Sequence, residues 1–338
     1  MDNAGATIAR VAAWLDAADP APWVVETSGS TGRPKRVELS RAAMLASAEA
    51  SARRVGGAPG SGGGRWLLAL PASYVAGLNV ILRSLVAGHP PAVLGESFAE
   101  SARGCDFVSL VPTQLHRLLG TDAAVLAGFR AVLLGGGPVD PGLRARAEAA
   151  GVNVVATYGS AETCGGCVYD GLPLDGVALA LGGAPGEPSR IRIGGPTLFS
   201  GYQDDPVLTA QVLVDGWFLT SDAGRLDEDG RLQVLGRLDD VVVTGGVNVP
   251  APAVAARLRQ HPAVAAAEVL GVPDEEWGSR LVAFVVGSAS LDELREWVAE
   301  ERPRSWAPRQ VVVLQEIPLL ANGKPDRLTL RRLAGSLA

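Results

Sequence analysis

From Trp66 to about Thr157 the chain alternates short apolar runs with segments of helical spacing: WLLAL, GLNVILRSLVAG, AVLG, FVSLVPTQLHRLLG, AVLLGG, GLRARAEAAG and VNVVATYG. That cadence predicts a β-α-β-α region around a mostly parallel, two-sided sheet. Several of its strands end in glycine or hydroxyl residues, at the edge where open α/β sheets usually bind ligands. From about Ser189 the pattern shifts to short β-like runs, RIRIGG, GWFLTSDAGRL and RLQVLGRL, with Asp229-Gly230 as a hairpin turn signal. After Asp239 the order reads strand VVVTGG, helix PAVAARLRQH, strands VAAAEVLGVP and RLVAFVVG, helix LDELREWVAEE, strand QVVVLQEIP and a basic terminal helix. The predicted class is α/β. A large N-terminal domain, residues 1–238, has mostly parallel sheets flanked by helices plus a β-rich subdomain, and a small α+β domain fills residues 239–338.

Length and composition agree with this division. At 338 residues, 47% hydrophobic and 20% charged, the chain is a globular protein with ample core for two domains. A net charge of -6 gives no overall electrostatic reason to bind nucleic acid or an anionic membrane. The N-terminal MDNAGATIARVAAWLDAADP carries Asp2, Arg10 and Asp16 through its apolar positions and reads as an amphipathic helix, not a secretory signal. The most membrane-like stretch, 66–82, contains Pro71, Ser73, Gly77 and Asn79 and stops at Arg83, so no membrane span is predicted and a cytoplasmic address follows by default.

Cys105, Cys164 and Cys167 are too few and odd in number for a disulfide framework and fit a reducing compartment. Cys164-Gly165-Gly166-Cys167 has the spacing of a redox or half-zinc motif. Without a second pair, and with His89, His116 and His261 scattered, four-ligand zinc spacing is not met; the segment is expected to be small residues in a tight loop.

The chemistry-bearing stretch comes early. VVETSGSTGRPKRVELS, from Val24 to Ser40, gathers hydroxyls and glycines around a lysine directly after an apolar run. It is not a Walker A loop, because Gly32 is followed by Arg33, Pro34 and then Lys35. It still suits phosphate. Gly29 and Gly32 permit close backbone approach, Ser28, Ser30 and Thr31 donate hydrogen bonds, and Lys35 supplies charge. A solvated hairpin loop would have the same composition.

Thr27 to Lys35, TSGSTGRPK, resembles the phosphate loop of the adenylate-forming superfamily of acyl-CoA synthetases, luciferases and peptide-synthetase adenylation domains. Four further segments agree in order: TYGSAET with that family's nucleotide and metal segment, FLTSD with its ribose segment, GRLDDVVVTGGVNV with its hinge, and LLANGKPDR with its terminal lysine motif. The resemblance extends from Thr27 to Arg327. It implies an AMP-binding N-terminal domain, a mobile C-terminal domain carrying the catalytic lysine, and two reaction steps. A carboxylate attacks the α-phosphorus of ATP to give an acyl-adenylate and pyrophosphate; a thiol, coenzyme A, then takes the acyl group and AMP leaves.

By position in those motifs, Glu162 would hold Mg²⁺ and Thr163 would hydrogen-bond the α-phosphate. Tyr158, with Gly159 beside it, would lie against adenine, and Gly135, Gly136 and Gly137 would let the base approach the backbone. Asp222 would accept both ribose hydroxyls, and Arg237 would add a ribose or phosphate contact. Lys324 would be the catalytic lysine of adenylation, Asp239 the hinge, and Gly245 and Gly246 the lining of the thiol tunnel. Singly, each has an ordinary alternative as a turn residue, surface ion pair or helix-terminal carboxylate. Their joint order favours the site.

LALPASYVAGLNVILRSLVAG, SLVPTQLHRLL and GGCVYDGLPLDGV, with the short segment ahead of the phosphate loop, are similar to compact actinobacterial o-succinylbenzoate-CoA ligases of menaquinone biosynthesis. That resemblance implies a dianionic acid, with Arg83 toward its carboxylates and Tyr74 and Gly77 beside it; a helix-surface arginine is the plain alternative for Arg83. The sequence departs from the pattern at Tyr74, where relatives have His, at Ala161, where Ser or Thr is usual, and at Ser221, where Gly usually precedes the ribose aspartate. The first two, Tyr74 and Ala161, leave the ATP chemistry intact and bear on the acid, so another aryl or acyl acid-CoA ligase is the enzymatic alternative, and a catalytically silent adenylate-binding module the other. Oligomeric state is left open.

Overall fold

The computed structural model describes residues 4–27, 34–56, 64–182, 189–320 and 325–335. In chain order the first half contains α1 (Ala4–Asp16), β1 (Trp23–Thr27), β2 (Lys35–Leu39), α2 (Arg41–Arg54), β3 (Trp66–Leu68), α3 (Val75–Val86), β4 (Ala92–Val93), α4 (Phe98–Ser101), β5 (Phe107–Leu110), α5 (Pro112–Thr121), α6 (Ala123–Ala127), β6 (Ala131–Leu134), α7 (Pro141–Ala149) and β7 (Val154–Ser160). There follow β8 (Gly165–Tyr169), β9 (Leu172–Pro173), β10 (Ala178–Leu181), β11 (Ser189–Gly194), β12 (Gly201–Tyr202), α8 (Pro206–Val212), β13 (Leu213–Val214), β14 (Trp217–Leu226) and β15 (Leu232–Arg237). The last hundred residues form β16 (Val241–Thr244), β17 (Val247–Pro250), α9 (Ala251–Leu258), β18 (Val264–Asp274), β19 (Gly278–Gly287), α10 (Leu291–Ala299), β20 (Gln310–Val313) and α11 (Arg327–Gly335).

The chain divides into two compact units, one of residues 1–182, 192–220 and 226–232 and one of residues 183–191, 221–225 and 233–338. Strands β11, β14 and β15 each have residues in both.

In the first unit a seven-stranded sheet runs β4-β3-β5-β6-β7-β8-β9, parallel from β4 through β7 and antiparallel beyond. FVSL of β5 and AVLL of β6 are buried at every position, as central parallel strands covered on both faces must be. Local chemistry starts the helices. The Ser40 hydroxyl accepts the Ala43 N–H at 3.1 Å to open α2, and Asp140 accepts the Leu143 N–H at 3.0 Å, with Pro141 in the first turn, to open α7. Leu67, Val108, Leu110, Val132 and Leu134 pack with Leu115, Leu126, Leu143 and Ala147 of the covering helices. Because the strands are parallel, the glycines after β6 and the end of β7 lie at the same, carboxyl edge of the sheet.

The second unit contains an antiparallel pair β18-β19 with β20 parallel to β19. Leu281, Ala283 and Val285 of β19 pack with residues of α9 and α10, while Val282 and Phe284 between them pack with Leu330 and Ala334 of α11. A strand alternating into two cores is buried on both faces, which is why RLVAFVVG is apolar throughout its centre. Ser290 and Glu293 reciprocate at the start of α10, the Glu293 carboxylate accepting the Ser290 N–H at 2.7 Å.

Glu268 of β18 is packed inside this unit, with Arg259 at 3.7 Å. Burial pushes its carboxyl above the ordinary glutamate range, against the pull of Arg259 and Arg327, and Asp240 adds to the push. A carboxyl whose pKa is raised by folding holds its proton more tightly in the native state. Its contribution to stability is therefore present below the ordinary glutamate value and lost as pH rises through the folded one. Glu268→Gln is expected to gain stability relative to the parent as pH climbs from that ordinary value toward neutrality, measured by urea unfolding across the pH series. A difference that does not vary with pH would show that Glu268 carries no such linkage.

The Cys164-to-Cys167 segment differs from the tight loop expected of it. Cys164 ends a single 3-10 turn, Ala161–Thr163, in the left-handed region at φ 51°, and Gly165 to Tyr169 form strand β8 against β7. Two successive glycines let that strand close on β7, which the spacing of small residues did not reveal. Both thiols are free and fully buried, and burial pushes each up to about 12. Thiols so shielded are poor nucleophiles and poor ligands. Among the described residues no group of three or more His, Cys, Asp or Glu is placed to hold a metal, and no helix is long and apolar enough to cross a membrane.

Candidate active site

Strand β6 runs straight into Gly135-Gly136-Gly137, and β7 beside it runs through Thr157, Tyr158 and Gly159 before turning at Ala161–Thr163. The Thr157 hydroxyl donates to the Leu134 carbonyl at 3.2 Å and joins the two strand ends. Tyr158 is half-buried there. At Gly159, with φ +159°, a Cβ would lie 2.0 Å from the Gly165 carbonyl oxygen, so only glycine lets β8 fold back this closely. The structure thus brings Gly135, Gly136, Gly137, Tyr158, Gly159, Glu162 and Thr163 to one edge of one sheet.

The turn that follows is held from several sides. The Thr163 side chain is wholly buried. Its hydroxyl oxygen accepts the Ser160 N–H at 2.9 Å and lies 2.7 Å from the Gly165 carbonyl and 3.1 Å from that of Ser160. In this arrangement the hydroxyl shapes the turn. The Cys164 carbonyl accepts from Asn79 Nδ2 at 2.7 Å and from the Ser47 hydroxyl at 3.1 Å, which ties the turn to α3 and α2. Glu162 is gripped at both ends: its carbonyl accepts the Phe199 N–H at 2.9 Å, and its Oε1 accepts the Tyr202 phenol at 2.7 Å. Burial pushes the Tyr202 phenol well above its ordinary value, and the Glu162 charge pushes it further, so it stays a donor. Lys35 Nζ sits 5.2 Å from the centre of the same tyrosine ring.

Thr27 and Lys35 face each other as partners across β1 and β2. Ser28, Gly29, Ser30, Thr31 and Gly32 lie outside the described residues, as does Lys324. In the second unit Asp222 lies on β14 and Arg237 ends the neighbouring β15. Asp239 falls in the 3-10 turn Leu238–Asp240; only its backbone is described. Gly245 and Gly246, at φ 54° and 78°, make the two-residue turn between β16 and β17, where Thr244 pairs with Val247. Positive φ at both central residues is what such a hairpin requires, so these glycines have a local reason to be there.

Tyr74 stands at the N-cap position of α3 without a side-chain capping bond, and Gly77 is buried in its first turn, after β3. Arg83 lies near the end of the same helix, buried. Its guanidinium lies 5.2 Å from the ring of Trp66, the first residue of β3, and donates to the Tyr169 hydroxyl at 3.1 Å; the residue is 7% exposed. Asn79, which holds the Cys164 carbonyl, is four positions back on the same face of α3. Helix positions three, four or seven apart share a face; six apart, as Gly77 and Arg83 are, they do not. Tyr202, Asn79 and Ser47 were missed by the sequence reading. No spacing pattern marks them, because each meets the turn only through tertiary packing.

A carboxylate with one oxygen fixed by a phenol, beside a lysine and a glycine-edged strand end, suits a cation that arrives with phosphates. It does not suit an all-protein cage, since Mg²⁺ is commonly bound by one or two carboxylates plus substrate phosphates and water. Glu162 fits that role. Comparison with known proteins bears on the same point. The family model described as AMP-binding enzyme matches residues 7–203, and that described as AMP-binding enzyme C-terminal domain matches residues 253–324.

The chain belongs to the AMP-binding enzyme family.

Within that family it is similar to the probable 2-succinylbenzoate-CoA ligase of Mycobacterium tuberculosis, with 43% identity covering 96% of this chain and 88% of the relative. It is 34% identical to the 2-succinylbenzoate-CoA ligase of Geobacillus kaustophilus, over 92% of this chain and 69% of that one. Among solved structures, the o-succinylbenzoate CoA synthetase of Bacillus subtilis in complex with the acyl-adenylate intermediate OSB-AMP aligns with a TM-score of 0.81 and 29% identity, covering 91% of this chain and 68% of that one. The same Bacillus subtilis enzyme in complex with ATP and magnesium ion gives a TM-score of 0.79. The AMP-binding fold therefore has the α/β architecture and C-terminal domain expected from the chain.

Proposed function

We propose that this member of the AMP-binding enzyme family is an ATP-dependent 2-succinylbenzoate-CoA ligase, active in menaquinone biosynthesis and in the cytoplasm. The observation that carries this reading is 43% identity, spread over 96% of the chain, to a relative of that name. In the first step an oxygen of the acid's carboxylate bonds to the α-phosphorus of ATP, the bond from that phosphorus to the bridging oxygen breaks, and pyrophosphate leaves. In the second the sulfur of coenzyme A bonds to the acyl carbon, the acyl carbon-to-oxygen bond breaks, AMP leaves and the thiol proton is released.

The roles follow the motif positions. Lys35 and the backbone of residues 28–32 would cradle the phosphates, Gly135 to Gly137 and Tyr158 would frame the adenine, and Asp222 and Arg237 would hold the ribose. Glu162 would hold Mg²⁺, which when bound offsets the charge of the phosphates. Lys324 would meet the carboxylate and α-phosphate in the first step. The backbone at Asp239 would then turn so that Gly245 and Gly246 line the thiol's path. Thr163 acts on the α-phosphate only if its hydroxyl leaves the Gly165 carbonyl; otherwise it shapes the turn that presents Glu162.

The burial of Arg83 favours keeping a second reading. The cation assigned to the acid's second carboxylate stacks on Trp66, so another aryl or acyl acid-CoA ligase remains the alternative. Incubation with ATP, Mg²⁺, coenzyme A and a panel of carboxylic acids, with products identified by mass, separates them. A 2-succinylbenzoyl thioester formed in preference to all others is the expected result. A different thioester supports the alternative, and nucleotide binding without any thioester overturns both.

A further inference from the structure

We infer that Tyr202 is a positioning residue for the nucleotide site: its hydroxyl fixes the Glu162 carboxylate and its ring face seats the Lys35 ammonium, so one side chain sets both charges that receive Mg²⁺-bound phosphates. The inference rests on the adenylation reading and deepens it. Lys35 is the first residue of β2, Glu162 lies in the turn after β7, and Tyr202 is on β12; the three are far apart in sequence and meet on one ring.

The ring is rigidly held. Tyr202 is 6% exposed, its neighbour Gly201 and Tyr202 itself pair with Glu38 and Val37 of β2, and its N–H donates to the Thr209 hydroxyl at 2.8 Å. Phe199 meets it edge to face at 5.0 Å and is itself wedged against Phe218 at 5.6 Å. Phe199 also donates its N–H to the Glu162 carbonyl, so the segment 199–202 grips the glutamate at both ends. A carboxylate on a flexible side chain must otherwise lose its rotamer freedom when it meets a cation, and a fixed phenol removes that loss beforehand. The phenol donates to Oε1, so Glu162 would meet a cation with its carboxylate already oriented.

Tyr202→Phe deletes the hydroxyl and keeps the ring for Lys35. Calorimetric titration with ATP, with and without Mg²⁺, is the test. The variant is expected to bind ATP with Mg²⁺ about tenfold more weakly, to bind ATP without Mg²⁺ as the parent does, and to melt at nearly the same temperature. In a Glu162→Gln background the same change is expected to add nothing to the Mg²⁺-dependent part, since the charge that would hold the cation is gone. Equal weakening with and without Mg²⁺, or full additivity with Glu162→Gln, would show a merely structural tyrosine and overturn the inference while the adenylation reading stands. A parent protein that binds no ATP at all would overturn both.

Discussion

Lys324→Ala is expected to lower acid-dependent exchange of pyrophosphate into ATP by about 10² to 10³-fold, while thioester formation from a supplied acyl-adenylate proceeds at close to the parent rate. The argument starts from charge. When a carboxylate attacks the α-phosphorus, negative charge gathers between two groups that already repel, and a lysine held between them offsets it best in the transition state. The second step has no such need, because the phosphorus bond is already made and AMP leaves as a stable anion. The described residues that flank Lys324 in the chain are tied to one another. Leu319 bridges to Pro325, and the Asp326 N–H donates to the Pro318 carbonyl at 2.8 Å. Asp326 then opens α11, accepting the N–H groups of Leu328 and Thr329 at 3.1 Å. Equal loss in both half-reactions would remove Lys324 from the first step.

Gly159→Ala is expected to destabilise the first unit by about 3 kcal/mol, the upper part of the usual range for overpacking, and to abolish measurable ATP binding. The added Cβ would sit 2.0 Å from the Gly165 oxygen, 2.8 Å from the Gly165 carbonyl carbon and 2.9 Å from the Gly166 Cα. All three are backbone atoms, so no side chain can swing away; β8 itself must shift. That shift would drag the Cys164 carbonyl from Asn79 and Ser47 and carry the Glu162 turn with it. Gly120→Ala, at the end of α5, where a Cβ meets nothing within 4 Å, is the control and is expected to be neutral or slightly stabilising. Thermal unfolding of both variants, with calorimetry for ATP, checks the pair. A Gly159→Ala protein that melts with its parent would show that β8 has slack the geometry does not suggest.

Local patterning carried much of the architecture. WLL, FVSL and AVLL are strands because short, largely apolar runs need cover on both faces, and Asp140-Pro141 or Ser290 with Glu293 start helices by satisfying their own first N–H groups. Such rules act within a few residues, so they can be read from the chain. The carboxyl-edge placement of Gly135 to Gly137 and of the Glu162 turn was legible for the same reason: a strand ending in glycine has one place to go.

The Cys164-to-Cys167 segment was misread where local rules ran out. Arg83, which the resemblance assigns to the acid's carboxylates, lies against Trp66 and Tyr169, contacts that no spacing along the chain reveals. Small residues between two cysteines suggested a loop, yet β7 offered them a strand partner.

By itself, then, the sequence determined the element order, the family and the residue types that ATP chemistry needs, because periodicity, caps and ordered motifs are properties of neighbours along the chain. Only the tertiary structure decided that Tyr202 reaches Glu162 across 40 residues, that Asn79 and Ser47 hold the Cys164 carbonyl, and that Arg83 faces the core. Those contacts depend on strand pairing and helix rotation, which fix direction in space, and no spacing along a single chain specifies them.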